Sequence, residues 1–154
     1  MKKVIFASSS GGHLTELLRL EKLFKEYDYL VVTEKTEVTN ALSKKYNMEY
    51  LKYGSRHYIF KYIFVLLYNI VKTIKILLKF KPDTVVSTGA HTGGIVCFFA
   101  KLFGAKVIYI ETLAMTETLS VTGKNMYKFA DKFYVQWESL ADKFEKAEYL
   151  GRLM

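Results

Sequence analysis

The sequence predicts an α/β fold: a Rossmann-like parallel sheet with helices on both faces, built as one domain of residues 1–154. Short continuous apolar runs, typical of strands buried on both faces, alternate with longer segments of helical apolar spacing. Glycine-rich turns follow two of these runs, as expected where a parallel strand leads into a helix. Apolar residues make up 51% of the 154 positions, enough for a sizeable core, and no repeat or linker marks a domain boundary.

The predicted strands are apolar runs bounded by polar, glycine or proline residues. In chain order they cover residues 3–7, 29–33, 50–53, 84–87, 106–110, 132–135 and 149–151. The run at 84–87 begins directly after Pro82 and Asp83, which end the longest helical segment.

The predicted helices carry apolar residues three or four positions apart. They cover residues 13–26, 36–46, 58–80, 95–103, 125–130 and 138–146. In the first of them Leu14, Leu17 and Leu18 form part of one buried face. The connections that matter most are residues 54–57, which include Arg56 and His57, residues 88–94 and residues 111–123.

The charge balance favours an anionic partner. Lys and Arg number 23 against 15 Asp and Glu, a formal net charge of +8. Such an excess suits nucleic acid, an anionic membrane or phosphorylated substrates. The lysines are not interleaved with aromatic residues on a polar face, so we predict no nucleic-acid partner. The single Cys97 excludes an internal disulfide and is typical of a reducing compartment.

Two glycine turns follow predicted strands, and each contains a histidine. The first consists of Ser10, Gly11, Gly12 and His13, and the second includes Gly89, His91, Gly93 and Gly94. Open α/β sheets bind ligands beyond the carboxyl ends of their strands, where both turns are expected. The helix after the first turn directs free N–H groups and its positive dipole end into that turn. We therefore predict that the two turns bind an anionic group such as a phosphate.

His13, His91 and Glu111 are the candidate acid–base residues. Imidazole titrates near neutral pH, so either histidine can be a general base; the alternative is a helix cap or a phosphate ligand. Glu111 ends a predicted strand and is either an acid–base group or an anchor for the following loop. The histidines and the cysteine lack zinc spacing, and neither G-x-G-x-x-G nor a Walker sequence occurs, so we predict no metal and no cofactor.

The helix predicted at 58–80 carries Lys61, Lys72, Lys75 and Lys79 on one narrow stripe at ~100° per residue. Most of its remaining circumference is apolar. The lysines interrupt it too often for a membrane span, which needs ~20 apolar residues. Two interpretations remain: a core helix whose lysines face water, and a helix whose flank enters the lipid interface with the lysines at the headgroups.

Several motifs resemble known glycosyltransferases. The turn Ser10-Gly11-Gly12-His13 and the strand leading to Gly89 resemble the glycine turns of MurG-type lipid-acceptor glycosyltransferases. Further segments resemble the asparagine-linked glycosylation protein fourteen family, whose bacterial relatives are the capsule and exopolysaccharide proteins CpsF, PssD and EpsE. These segments are Glu111-Thr112, residues 117–124, Ala130-Asp131, Val135-Gln136-Trp137 and residues 149–152. The second turn departs from the family form Gly-Pro-Gly-Thr, and the N-terminal membrane helix of eukaryotic members is not seen.

The resemblance implies the N-terminal, acceptor-binding half of a GT-B glycosyltransferase. A separate subunit would supply the half that binds the UDP-sugar, and the acceptor would be a saccharide on a polyprenyl pyrophosphate. The reaction would be inverting and metal-independent, with His13 or Glu111 as the base. The chain would lie peripherally on the cytoplasmic face of the plasma membrane. The expected interface with the partner subunit includes Thr122, Gly123, Gln136 and Trp137.

Two other functions remain open at this point. The chain is alternatively a non-catalytic enhancer that docks and activates a partner glycosyltransferase. It is otherwise a stand-alone nucleotide-sugar or dinucleotide enzyme, which the missing fingerprint sequences disfavour.

Overall fold

A computed structural model describes residues 1–54 and 59–153 of the chain. The part of the predicted connection that holds Arg56 and His57, and Tyr58 at the predicted start of the long helix, lie outside the described residues.

The described strands form one seven-stranded sheet in the order β3-β2-β1-β4-β5-β6-β7, and the neighbouring strands pair in parallel. Their bounds are β1 Lys3–Ser8, β2 Asp28–Glu34, β3 Met48–Leu51, β4 Thr84–Gly89, β5 Lys106–Ile110, β6 Lys132–Val135 and β7 Ala147–Tyr149. The predicted Rossmann-like α/β fold is confirmed. The order reverses between β1 and β4, which creates a crevice at the carboxyl ends of these two strands.

The described helices are α1 Gly12–Leu18, α2 Glu21–Phe24, α3 Glu37–Leu42, α4 Ile59–Phe80, α5 His91–Leu102, α6 Val121–Met126 and α7 Glu138–Lys143. The prediction of one helix over 13–26 was wrong. The N–H groups of Arg19 and Leu20 donate three residues back, to Glu16 and Leu17, so a tight turn separates α1 from α2.

Other predicted bounds were also wrong. α5 begins at His91 rather than residue 95, so four of the seven residues predicted as the connection 88–94 are helical. α6 begins at Val121 rather than residue 125, because the Ser120 side chain caps the N–H of Gly123. Strands β3 and β7 each begin two residues earlier than predicted, and α3 and α7 end before residues 46 and 146.

Two helical layers cover the two faces of the sheet. The side chains of Val4 and Phe6 belong to the core under α1–α3, which we call the first layer. The alternate side chains Ile5 and Ala7 belong to the core under α4–α7, which we call the second layer. This alternation along β1 is the period of two that a strand requires. Both layers therefore rest on apolar sheet faces. The crevice lies between the two layers, at the carboxyl ends of β1 and β4.

Candidate functional site

His13 lies in the crevice between the ends of β1 and β4. Its Nδ1 is 2.9 Å from the backbone oxygen of Thr88, and the Thr88 hydroxyl donates to the backbone oxygen of His13 at 2.7 Å. A carbonyl oxygen only accepts hydrogen bonds, so Nδ1 carries the proton and Nε2 of the neutral ring carries the lone pair. The ring is half-buried. The fold thus holds one imidazole in a fixed orientation with its basic nitrogen directed away from Thr88.

The turn that precedes this ring is exposed at Gly11 and Gly12. Gly11 adopts φ +83°, and a Cβ added at Gly11 or Gly12 would meet nothing within 4 Å. No described side chain caps the start of α1. The first backbone N–H groups of a helix have no acceptor within the helix, and in α1 the Thr15 N–H is the one that donates to Gly11. Of the first glycine turn, which is predicted to bind a phosphate, the structure leaves Gly11 to His13 accessible.

Glu34 occupies the other side of the same turn. Glu34 is 6% exposed, and its carboxylate accepts from the Ser10 N–H at 3.0 Å, the Ser10 hydroxyl at 2.6 Å and the Thr92 hydroxyl at 2.7 Å. The predicted role of Ser10 as a phosphate ligand is corrected, because both of its donors already serve this carboxylate. The sequence places Glu34 at the end of a predicted strand, and only the fold shows that it binds the turn.

The second glycine sequence serves mainly for packing. Gly89, at φ +90°, faces the His13 ring: a Cβ there would lie 3.5 Å from Nδ1 and 2.8 Å from the Tyr109 hydroxyl. Gly93 and Gly94 are buried in the first turn of α5, and the Gly94 N–H donates to the Ala90 carbonyl, which favours packing over phosphate binding; their role as phosphate ligands stays a prediction. A Cβ at Gly93 would overlap the Ser87 hydroxyl.

His91 contacts Tyr62 of α4. Its Nε2 lies 2.6 Å from the Tyr62 hydroxyl oxygen, and the two rings are 5.6 Å apart. His91 also lines an apolar groove between α4, α5 and α6. This arrangement favours a structural role for His91 over that of a second base.

Glu111 is fully buried at the end of β5. Its carboxylate accepts from the N–H groups of Thr112 and Ser120, both at 2.9 Å, and from the Ser120 hydroxyl. Burial raises the pKa of Glu111, and these hydrogen bonds oppose that rise. A Cβ at Gly123 would overlap the carboxylate. The structure therefore favours Glu111 as the anchor of the loop over Glu111 as a group that touches substrate.

The four predicted interface residues differ in accessibility. Gln136 is 2% exposed, and Gly123 is also buried, so these two were wrongly predicted as surface positions. The Gln136 amide donates to Glu16 at 2.8 Å and to the Glu111 carbonyl at 3.1 Å. Thr122 and Trp137 are half-buried and keep part of their surface accessible.

Trp137 is fixed on both sides. Its indole N–H donates to the Leu113 carbonyl at 2.7 Å, and the Arg152 guanidinium lies 3.9 Å from the ring centre. This is a cation–π geometry, which holds the partly exposed ring against the loop after β5.

Sequence reasoning missed Glu16. Its carboxylate accepts from the Thr112 hydroxyl at 2.7 Å and from Gln136 at 2.8 Å. It thereby ties the helix that carries His13 to the loops after β5 and β6. The available signal was its position three residues after His13, on the same helical face. Among the described residues, no group of three or more His, Cys, Asp or Glu side chains is arranged to hold a metal ion.

The outer face of α4 is apolar and exposed. Its exposed large apolar residues are Phe60, Ile63, Phe64, Leu67, Tyr68, Val71 and Leu78. The predicted lysine stripe lies on one flank of that face, where Lys72 pairs with Glu49 at 3.6 Å. Lys72, Lys75 and Lys79 converge with Lys3 on a cavity of about 370 Å³. No helix among the described residues has both the length and the apolar character needed to cross a membrane.

Comparison with known proteins places these features in a family. The family described as "Oligosaccharide biosynthesis protein Alg14 like" matches residues 4–153. The UDP-N-acetylglucosamine transferase subunit ALG14 of Mus musculus is 31% identical over 180 residues, covering 99% of this chain and 83% of the relative. The corresponding subunit of Schizosaccharomyces pombe is 28% identical, covering 97% and 82%.

Solved structures share the fold. MurG of Acinetobacter baumannii superposes with a TM-score of 0.73 at 18% identity, covering 90% of this chain and 43% of that chain. The UDP-N-acetylglucosamine 2-epimerase of Rickettsia bellii superposes with a TM-score of 0.74 at 17% identity, covering 100% and 46%. This chain thus spans less than half the length of either enzyme. On the match over residues 4–153 and the identity to the mouse subunit, the chain belongs to the Alg14-like family of oligosaccharide biosynthesis proteins.

Proposed function

We propose that this chain is the acceptor-binding, membrane-associated subunit of a two-chain glycosyltransferase. The enzyme transfers a sugar from a UDP-sugar to a saccharide on a lipid pyrophosphate, in capsular or exopolysaccharide synthesis. The observation that carries the proposal is the His13 ring, fixed by Thr88 beside the open turn of Gly11 and Gly12. The similar proteins named as transferase subunits support the reaction class.

His13 acts as the general base in this reaction. The acceptor hydroxyl oxygen attacks the anomeric carbon of the UDP-sugar, the bond from that carbon to UDP breaks, and configuration inverts. The hydroxyl proton passes to Nε2 of His13, which carries the lone pair because Nδ1 donates to Thr88. Glu111 supports this site indirectly by holding the loop that begins at Thr112.

The acceptor pyrophosphate binds on the Gly11–His13 side of the first turn. Open space lies there, and the first backbone N–H groups of α1 are directed toward it. The side of the turn that faces Glu34 is excluded, because a buried carboxylate repels an anion.

The outer face of α4 holds the chain on the cytoplasmic surface of the plasma membrane. An exposed apolar stripe flanked by lysines is the pattern of a helix lying in a lipid interface. Lys61, Lys72, Lys75 and Lys79 meet anionic headgroups there, and the net charge of +8 adds to the attraction.

The partner subunit brings the UDP-sugar. It contacts the loop of residues 112–120 and the accessible parts of Thr122 and Trp137. A partly exposed tryptophan is a common anchor in protein interfaces. The names of the similar proteins, which are transferase subunits, support the need for a second chain.

The test is turnover by the reconstituted pair of subunits with UDP-N-acetylglucosamine and a polyprenyl-pyrophosphate acceptor. We expect His13→Gln to lower kcat by about 10²- to 10⁴-fold, the usual contribution of a general base. Arg19→Gln, an exposed change at the opposite end of α1, is the matched control and should retain turnover. Unchanged turnover in His13→Gln would remove His13 from catalysis and leave the chain as a docking subunit only.

A further inference from the structure

The apolar groove of the second layer is a built cavity of about 490 Å³. Its walls include Ile70 of α4, Ile95 and Phe98 of α5, and Met126 and Phe129 at α6 and just beyond it. No described carboxylate lines it. The volume falls within the range of about 300–1,000 Å³ that is usual for small-molecule sites. Its polar lining side chains are His91, Thr122, Asn125 and Lys128, and the rest of the lining is mainly apolar. The groove is therefore large enough, and apolar enough along most of its walls, for a hydrocarbon ligand.

One end of the groove lies close to the candidate catalytic site. His91, which lines the groove, follows Gly89 by two residues, and Gly89 packs against the His13 ring. His91 is therefore the part of the groove nearest in the chain to the residues that contact His13.

The side of the groove meets the exposed apolar face of α4. Ile70 forms a wall of the groove, and its neighbours Leu67 and Val71 are exposed on the outer face. Phe98 forms the opposite lip and is itself half exposed. The groove thus borders the surface that we assign to the membrane, and its His91 end lies two residues along the chain from Gly89, which packs against His13.

We infer that this groove binds the first isoprene units of the acceptor's polyprenyl chain, an inference that rests on the proposed function. In a polyprenyl pyrophosphate the hydrocarbon begins at the oxygen of the second phosphate. An anion held at the Gly11–His13 turn therefore needs apolar surface directly beside it. The groove supplies that surface between the turn and the α4 face, where the rest of the chain enters the bilayer.

The experiment measures binding of soluble probes to the full chain by titration calorimetry. The probes are inorganic diphosphate, geranyl diphosphate with two isoprene units, and geranylgeranyl diphosphate with four, all below their aggregation concentrations. Ile95→Trp fills the groove, and Phe98→Ser removes one lip without adding volume. Val38→Trp places the same indole on an exposed position of the first layer and is the matched control.

We expect affinity to rise with prenyl length in the wild-type chain. Ile95→Trp should weaken geranylgeranyl diphosphate about tenfold or more, through lost apolar burial, and leave inorganic diphosphate unchanged. Phe98→Ser should act in the same direction, and Val38→Trp should behave as the wild type. Circular dichroism and thermal melting establish that each variant is folded.

The outcomes separate this inference from the proposed function. Two results would overturn the inference that the groove binds prenyl chains and leave the anion site intact. They are equal affinity for all three probes in the wild type, and unchanged prenyl binding in both groove variants. Length-dependent binding of prenyl diphosphates with no binding of inorganic diphosphate supports the groove and counts against the anion turn. Loss of partner-subunit association in Ile95→Trp, with prenyl binding preserved, would make the groove a protein interface instead.

Discussion

The two helical layers cover the same sheet but present different surfaces to the outside. The first layer turns charged residues such as Arg19, Lys22 and Lys25 outward. The second layer exposes large apolar side chains, with Phe64 73% and Leu102 68% exposed. Both layers bury apolar side chains against the sheet, so folding alone does not require an apolar exterior. An exposed patch of this size indicates contact with lipid or with another molecule.

The largest effect is expected when charged residues replace exposed apolar residues of the second layer. Phe64→Glu combined with Leu67→Glu should lower partitioning onto vesicles containing anionic phospholipid by about 100-fold or more, since each buried side chain contributes about 1.5–3 kcal/mol. Sedimentation of the full chain with vesicles measures it. Leu23→Glu combined with Val38→Glu, at exposed apolar positions of the first layer, is the matched control. Equal binding by both double variants would contradict a membrane role for α4.

A smaller effect is expected when a glycine of each layer is replaced by alanine and the free energies of unfolding are compared. Gly93→Ala places a Cβ on the Ser87 hydroxyl beneath the second layer, so we expect the free energy of unfolding to fall by about 1–3 kcal/mol. Gly12→Ala, in the open turn that begins the first layer, should leave it unchanged or raise it by up to about 1 kcal/mol. Urea unfolding of the two variants measures the contrast. Similar losses in both would show that the first turn is also closely packed.

The smallest expected effect concerns the place where the layers meet. Glu111 contacts the start of α6, and its neighbour Thr112 contacts Glu16 of α1. Burial raises the pKa of Glu111 above its ordinary value of 4.5, so the folded chain binds this proton more tightly than the unfolded chain does. The contribution of Glu111 to stability is therefore full below pH 4.5 and declines as pH rises through the raised pKa.

Unfolding free energies of the wild type and Glu111→Gln, measured across pH 4 to 8 at the same temperatures, isolate this contribution. The free energy of unfolding of the wild type should fall relative to that of Glu111→Gln as pH rises. A shift in the opposite direction would mean that the hydrogen bonds from Thr112 and Ser120 outweigh burial.

Much of the site was predictable because its signals are local. His13 follows two glycines and a strand within six residues, so the turn and its imidazole are visible in the sequence. The partners of that turn were not predictable. Ser10 bonds to Glu34 across 24 residues, and Gln136 bonds to Glu16 across 120. The burial of Gln136 likewise depends on helices and loops that no local pattern specifies.

The sequence by itself determined the parallel sheet, the position of His13 after the first strand and the lysine stripe of the long helix. Strands buried on both faces are read directly as apolar runs, because every side chain in them leaves water. Only the tertiary structure decided which glycines are open and which are packed, which carboxylates serve as anchors, and which face of α4 remains outside. Those properties depend on what lies opposite each residue, and residues distant in the chain supply it.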